Sequence, residues 1–128
     1  MAINKEATFG YVADLTPEDR PGGRHSYPCI LPKGFGSAGF SLGYHEMDPG
    51  GTNKNPDNSC HVHEIEQEAM FFIDGEGIAT LGDHAFAIRP GSYMLAHAGI
   101  PHSVSNTSPD KPLKFIWVYA PALPKQCL

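Results

Sequence analysis

The pattern of apolar and polar positions along the chain indicates short strands separated by tight turns. Apolar and polar residues alternate over stretches of about four to eight residues, which is the period of half-buried strands. The stretches end at turns rich in glycine, proline, asparagine or aspartate. We therefore predict strands at 27–31, 35–47, 68–74, 78–81, 85–88, 92–96, 102–106 and 113–120.

The segments between these strands carry turn signals of their own. Gly82-Asp83 predicts a hairpin between the strands on either side of it. Residues 16–19 predict a single helical turn, with Thr16 as the N-cap and Pro17 at the first helical position. Residues 52–59 are polar and rich in asparagine, so we expect a loop there. Together these signals are typical of an all-β sandwich or barrel.

Composition and charge narrow the class of protein. The 128 residues suit one domain, and 14 glycines with 12 prolines favour turns over a helical bundle. The net charge is −5 and no stretch concentrates lysine or arginine, so nucleic acid is not expected as a partner. The longest nearly apolar run, 115–123, is too short to span a bilayer, so we expect no membrane partner.

Three isolated cysteines and the first residues bear on the cellular compartment. Cys29, Cys60 and Cys127 form no Cys-x-x-Cys pair, which suggests free thiols in a reducing environment. Residues 1–6 carry mixed charge and lack the apolar segment of a secretion signal. We therefore expect a cytoplasmic protein.

Histidines supply the candidate chemistry. His61 and His63 are two residues apart, so on an extended segment both imidazoles point to the same side, about 6.6 Å apart along the chain. Glu68 begins the next predicted strand, and His102 follows a turn at 99–101. Neutral imidazoles and a carboxylate suit Fe, Mn, Zn or Ni. These four residues are therefore candidate ligands of a divalent transition metal ion.

The remaining histidines and a few polar residues carry weaker signals. A lone histidine is more often a surface or core residue than a ligand, and His25, His45 and His84 keep that interpretation. Possible polar contacts to a bound small molecule are Tyr44, His45, Arg89 and Tyr93, and the alternative for Arg89 is a solvated turn residue.

The spacing of the candidate ligands resembles the first motif of the cupin superfamily. That motif has Gly, five residues, His-x-His, three or four residues, Glu, six residues and Gly. The chain matches it from His61 to Gly75, although Asn55 stands at the place of the leading glycine. The resemblance implies that His61, His63 and Glu68 are metal ligands, and its spacer favours Glu68 over the neighbouring Glu64 and Glu66.

The second cupin motif also has a counterpart in this chain. The motif is Gly-x5-Pro-x-Gly-x2-His-x3-Asn, and the match runs from Gly91 to Asn106 with His97 in place of the proline. It implies that His102 is the fourth ligand. The resemblance implies a single cupin domain over 1–128, folded as a double-stranded β-helix or jelly-roll barrel. Its parts would be an N-terminal arm with edge strands at 1–34, the conserved barrel at 35–120 and a tail at 121–128.

A pocket inside the barrel follows from the same resemblance. Met70, Phe72 and Trp117 are candidate pocket residues, with core packing as the alternative for each. Tyr44, Tyr119 and His97 are candidate catalytic residues. A histidine at 97 supplies a group that titrates near neutral pH and could move a proton, and the alternative is an exposed turn residue.

Two functions are compatible with these residues. The first is a metal-dependent enzyme acting on a small oxygenated metabolite, either as a dioxygenase or as a lyase or isomerase. The alternative is a non-catalytic cupin that binds a sugar or another metabolite, because a fold does not select a reaction. All four ligand positions are filled, which favours the enzyme. Open sheet edges in so small a barrel lead us to expect a homodimer.

Overall fold

The computed structural model describes residues 8–35 and 39–127, which form nine strands and three short helical segments. The strands are β1 (Glu18–Arg20), β2 (Arg24–Ile30), β3 (Ser41–Met47), β4 (Gln67–Asp74), β5 (Gly77–Leu81), β6 (His84–Ile88), β7 (Tyr93–Ala96), β8 (His102–Asn106) and β9 (Leu113–Ala120). The helical segments are Val12–Asp14, Pro32–Phe35 and Pro124–Gln126, and none of these is long and apolar enough to cross a membrane. Parts of three sequence predictions lie outside the described residues, namely 1–7 of the arm, 36–38 of the strand at 35–47, and 128 of the tail.

The strands form two antiparallel sheets that share one core. One sheet has six strands in the order β1-β2-β3-β9-β4-β7, and the other has three in the order β6-β5-β8. The last strand lies between β3 and β4, so Tyr119 faces both Ser41 and Glu68. This arrangement confirms the all-β jelly-roll fold expected from the sequence.

Alternation along the strands directs apolar side chains between the two sheets. On β3 every second residue from Ser41 to Met47 is buried, and on β9 the buried residues are Leu113, Phe115 and Trp117. The core also takes side chains from the smaller sheet, such as Ala79 and Val104. Burying one face of each sheet is the main source of stability for such a fold.

One glycine on β3 makes room for the tryptophan of β9. Gly43 is paired with Trp117 across the two strands. A Cβ atom at Gly43 would collide with the indole ring of Trp117, so only glycine fits there without displacing the ring. The indole therefore lies flat against the backbone of β3.

Asn106 holds the turns at one end of the barrel. The side chain is buried, and its Nδ2 donates to the carbonyl oxygens of Met47, Asp48 and Lys111 at 2.8–3.0 Å. Its Oδ1 accepts the backbone N–H of Ser108 at 2.9 Å. The asparagine that closes the second motif thus joins β8 to the turns after β3 and β8.

Two predictions for the first third of the chain are wrong. Residues 18–20 are β1 rather than a helical turn, because the turn at 21–23 reverses the chain and pairs Glu18 with Ser26. Gly22 and Gly23 allow this reversal with φ angles of 83° and 69°. The strand predicted at 35–47 is too long, because the backbone turns within Pro32–Phe35, where Gly34 has a φ angle of 79°, and β3 begins only at Ser41.

Candidate functional site

Three side chains from separate parts of the chain converge at one end of the barrel. His63, Glu68 and His102 each offer one ligand atom, and these atoms all lie within 4.8 Å of one another. The Glu68 Oε1 atom is 3.0 Å from His102 Nε2 and 4.0 Å from His63 Nε2. Glu68 and His102 are buried, whereas His63 is partly exposed.

Backbone pairing explains why these residues meet. Glu68 faces Ala96 and Tyr119 on the two strands that flank β4. His61 and His102 exchange two backbone hydrogen bonds at 2.8–2.9 Å, so the segment before β4 runs beside β8. The carbonyl of His63 also accepts the Gly99 N–H at 2.8 Å. The His-x-His segment is therefore anchored against the turn that precedes His102.

The hydrogen bonds of His102 leave a place for a proton or a metal ion between its Nε2 and Glu68. Its Nδ1 lies 3.0 Å from the Ile100 carbonyl, which can only accept a hydrogen bond, so Nδ1 carries the proton. In the neutral imidazole, Nε2 then has a lone pair directed at the Glu68 carboxylate only 3.0 Å away. Two acceptors at that distance need a proton or a metal ion between them. Two imidazoles and a carboxylate are ligands that Fe, Mn, Zn and Ni accept, so the residues fit such an ion.

The ionisation of His102 and of the partly buried His61 reflects the same arrangement. Burial lowers the pKa of His102, but the Glu68 carboxylate and the Ile100 carbonyl outweigh it and raise the pKa above its ordinary value. Burial lowers the pKa of His61, and the positive Arg24 and the other two histidines add to this, against an opposing backbone hydrogen bond with Asn53.

His63 and Glu68 of this group line a cavity of about 220 Å³. Met70, Phe115 and Trp117 form an apolar part of its lining, and Tyr119 lies among them with its ring edge against His63, at 5.3 Å between ring centroids. Burial, and then the negative charge of Glu68, raises the pKa of Tyr119 well above its ordinary value. Tyr119 is therefore a protonated phenol throughout the neutral range.

Of the other residues singled out from the sequence, His61, Met70, Trp117 and Tyr119 line this cavity. His61 lies outside the set of three whose ligand atoms are within 4.8 Å of one another. Its backbone is fixed by His102, so a change of side-chain rotamer is the movement that would bring the imidazole closer.

Phe72, Tyr44 and His97 lie away from the cavity. Phe72 is four residues beyond Glu68 on β4, about 13 Å further along the strand, and packs on Phe115 in the core. Tyr44 is on the opposite face of β3 from the buried His45, where its hydroxyl donates to Glu46 at 2.9 Å. His97 is exposed on the turn between β7 and β8.

Several cavity residues carry no motif and were not selected from the sequence. These are Arg20, Arg24, Lys125 and Gln126. His45 also lines the cavity; the sequence left it either as an ordinary histidine or as a possible polar contact. The usable signal was the alternation on β2 and β3, because Arg24 and Ser26 lie across from Met47 and His45. This alternation identifies the cavity residues only when the pairing of the two strands is known.

The fold and the His/Glu group together define a small barrel protein with a candidate metal site. A family model described as "Cupin domain" matches residues 43–119, more than half of the chain, and the chain therefore belongs to the cupin family. This confirms the resemblance noted in the sequence. No curated protein matches the chain.

Solved structures agree with this assignment at the level of the fold. KdgF from Halomonas sp. has a TM-score of 0.78 at 15% identity, with 93% of this chain and 97% of that chain covered. An RmlC-like cupin from Shewanella frigidimarina has a TM-score of 0.76 at 13% identity, covering 93% and 95%. A predicted oxalate decarboxylase from Thermotoga maritima has a TM-score of 0.74 at 20% identity, covering 86% and 96%.

Proposed function

We propose that this cupin is a metal-dependent enzyme acting on a small oxygenated metabolite. The observation that carries the proposal is the pair of acceptors, His102 Nε2 and Glu68 Oε1, held 3.0 Å apart beside His63. Glu68 and His63 also line a cavity. Burying such a pair of acceptors is unfavourable unless a proton or a metal ion joins the two groups, and the third donor, His63, makes the group suited to a metal ion. The description of the Thermotoga maritima relative as a predicted oxalate decarboxylase is in line with an enzyme of this class.

His63, Glu68 and His102 are the proposed protein ligands, with His61 as the fourth. A bound divalent ion would supply Lewis acidity toward a substrate oxygen or, as ferrous iron, the redox chemistry of a dioxygenase. His61 is partly buried and lines the same cavity, which supports its place in the set. The Ile100 carbonyl orients His102 through Nδ1, as outer hydrogen bonds commonly do for metal-binding histidines.

Two further residues are proposed to serve the substrate. Tyr119 keeps its proton at neutral pH and is placed to donate a hydrogen bond, or that proton, to a substrate oxygen. His45 is buried, and burial lowers its pKa to about 4, so at neutral pH it is an uncharged imidazole able to accept a proton. Met70 and Trp117 would exclude water from the reacting end of the cavity.

The test is turnover by metal-loaded protein offered small phenols, diketones and hydroxy acids. Oxygen uptake identifies a dioxygenase, and substrate loss without uptake identifies a lyase or isomerase. Both activities should be lost in His102→Ala and kept in His84→Ala, because His84 lies exposed on β6. Binding without turnover across the panel would contradict the enzyme and favour the alternative of a non-catalytic binding cupin.

We also propose that the protein is a cytoplasmic homodimer. Strand β7 is at an edge of the six-stranded sheet, and the outer face beside it exposes Phe71, Ile73, Tyr93 and Leu95. A second copy of the chain, with the same apolar face, would cover these side chains and the open edge. Cys29, Cys60 and Cys127 are free thiols, which supports a reducing compartment.

A further inference from the structure

Three cationic side chains line the same cavity as the His/Glu group. Arg20 and Arg24 stand on either side of the turn between β1 and β2, and Lys125 belongs to the segment after β9. Arg20 forms an ion pair with Glu18 at 2.9 Å, and the Nε of Arg24 donates to the Pro21 carbonyl at 2.7 Å. Neither Arg24 nor Lys125 has a carboxylate at ion-pair distance within 8–35 and 39–127.

These cations repel one another in a chain whose net charge is −5. Burial and the neighbouring Arg20 both lower the pKa of Arg24, and the same two causes lower the pKa of Lys125. Glu18 is paired with Arg20, and Glu68, the carboxylate on the cavity lining, faces His102 rather than these cations. Positive charge that lacks a partner at the half-buried Arg24 and at Lys125 favours an anion in the cavity.

A buried imidazole in the same cavity also needs a partner. His45 is only 7% exposed, its ring is stacked on Phe115 at 4.7 Å, and its Nε2 has no hydrogen-bond partner among the described residues. Buried polar nitrogens are almost always hydrogen-bonded in folded proteins, so this atom marks a place for a polar group of a ligand. It lies across from Ser26 on β2, two residues after Arg24.

We propose that Arg24 and Lys125, with Arg20 beside them, bind a carboxylate group of the substrate, while His45 contacts another of its polar atoms. This inference rests on the proposed function, because it names the substrate class of that same cavity: a small carboxylic acid. At about 220 Å³ the cavity is smaller than the roughly 300–1,000 Å³ typical of sites for drug-sized ligands. The acid must therefore be small.

The test compares malonate with malonamide, which has the same shape without the charge. Trp117 is the single tryptophan of the chain and lines the cavity, so its fluorescence reports occupancy, and calorimetry measures binding independently. The protein is first freed of metal by a chelator, so that malonate cannot bind through an ion. Malonate should bind and malonamide should not, and added salt should weaken the malonate complex.

Arg24→Gln removes the central charge, and Arg89→Gln is the matched control on an exposed turn residue. Arg24→Gln should weaken malonate binding on the order of 10–100-fold, the range expected for losing one charged hydrogen-bond partner. Arg89→Gln should leave the affinity within about twofold, since surface charges contribute little. A Lys125→Gln variant should weaken binding in the same direction.

Three results would each overturn the proposal. They are equal affinity for malonate and malonamide, no binding of malonate by either method, and equal affinity of Arg24→Gln and Arg89→Gln for malonate. The outcome of this binding test is independent of whether the protein binds a metal ion. If malonate binding depends on Arg24 but the protein takes up no metal ion when one is offered, the carboxylate subsite stands and the metal-dependent enzyme is rejected. If the protein binds one metal ion per chain but malonate binding does not depend on Arg24, the metal site stands and the carboxylate subsite is rejected.

Discussion

Replacing His25 with glutamine should remove a pH-dependent contribution to stability. His25 Nδ1 lies 2.7 Å from an Asp19 carboxylate oxygen, and its Nε2 lies 2.9 Å from Asp48. Asp19 is on β1 and Asp48 is in the turn after β3, so the protonated imidazole joins the hairpin that carries Arg20 and Arg24 to the rest of the sheet. The hydrogen bond to Asp19, with a further contribution from Asp48, raises the pKa of His25.

The sign and size of the effect follow from this geometry. Because the pKa is higher in the folded protein than in the unfolded chain, the stabilisation is fully present below about pH 6.5 and is lost as pH rises through the folded value. The side chains are 32%, 71% and 56% exposed for His25, Asp19 and Asp48, so solvent weakens both pairs. At about 0.5 kcal/mol for each exposed pair, the loss is about 1 kcal/mol at pH 5.5.

Urea unfolding of metal-free protein at pH 5.5 and pH 9 measures this difference. The destabilisation by His25→Gln should be about 1 kcal/mol at pH 5.5, or about 4 °C in Tm for a chain of this size, and close to zero at pH 9. His84→Gln is the control, since His84 is exposed on β6 and its ring contacts Phe86 rather than a carboxylate. A destabilisation by His25→Gln that is equal at the two pH values would refute the reasoning.

Two further substitutions test the packing and the proposed assembly. Gly43→Ala should destabilise the protein by about 1–3 kcal/mol in urea unfolding, because its Cβ would displace the Trp117 indole, whereas Gly10→Ala meets open space and should change stability little. A Gly43→Ala variant as stable as Gly10→Ala would contradict this packing. Tyr93→Glu adds a charge to a side chain that is 82% exposed on the edge strand β7, and it should convert a dimer to a monomer in sedimentation velocity. A wild-type chain that sediments as a monomer at micromolar concentration would contradict the homodimer.

Much of the fold could be predicted from the sequence because its strands have one buried and one exposed face. The strands predicted at 102–106 and 113–120 match β8 and β9 residue for residue, and the hairpin at Gly82-Asp83 is confirmed by the pairing of β5 with β6. The sequence predicted only the second half of β2 and did not predict β1, because the residues of this hairpin are mainly polar and few of them are buried. Its pairing depends on the glycine turn and on contacts with distant residues such as Asp48.

The candidate site divides in the same way. The resemblance to the cupin motifs selected His63, Glu68 and His102, which the fold brings together, and His61, which lies outside that set of three. Arg24, His45 and Lys125 belong to segments far apart in sequence, and tertiary pairing alone brings them to one cavity. The composition did not indicate a cationic cavity lining, because the chain is acidic and has no basic stretch.

The metal content of the purified protein tests the central claim most directly. Mass spectrometry of the wild type, of His102→Ala and of His84→Ala should find about one divalent transition metal per chain in the wild type and in the His84 control. In His102→Ala, which loses a buried ligand, the content should fall by at least an order of magnitude, because even outer hydrogen-bond partners alter metal affinity by about 10–100-fold. A wild-type protein that takes up no metal, or a His102→Ala variant that keeps the full complement, would contradict the account.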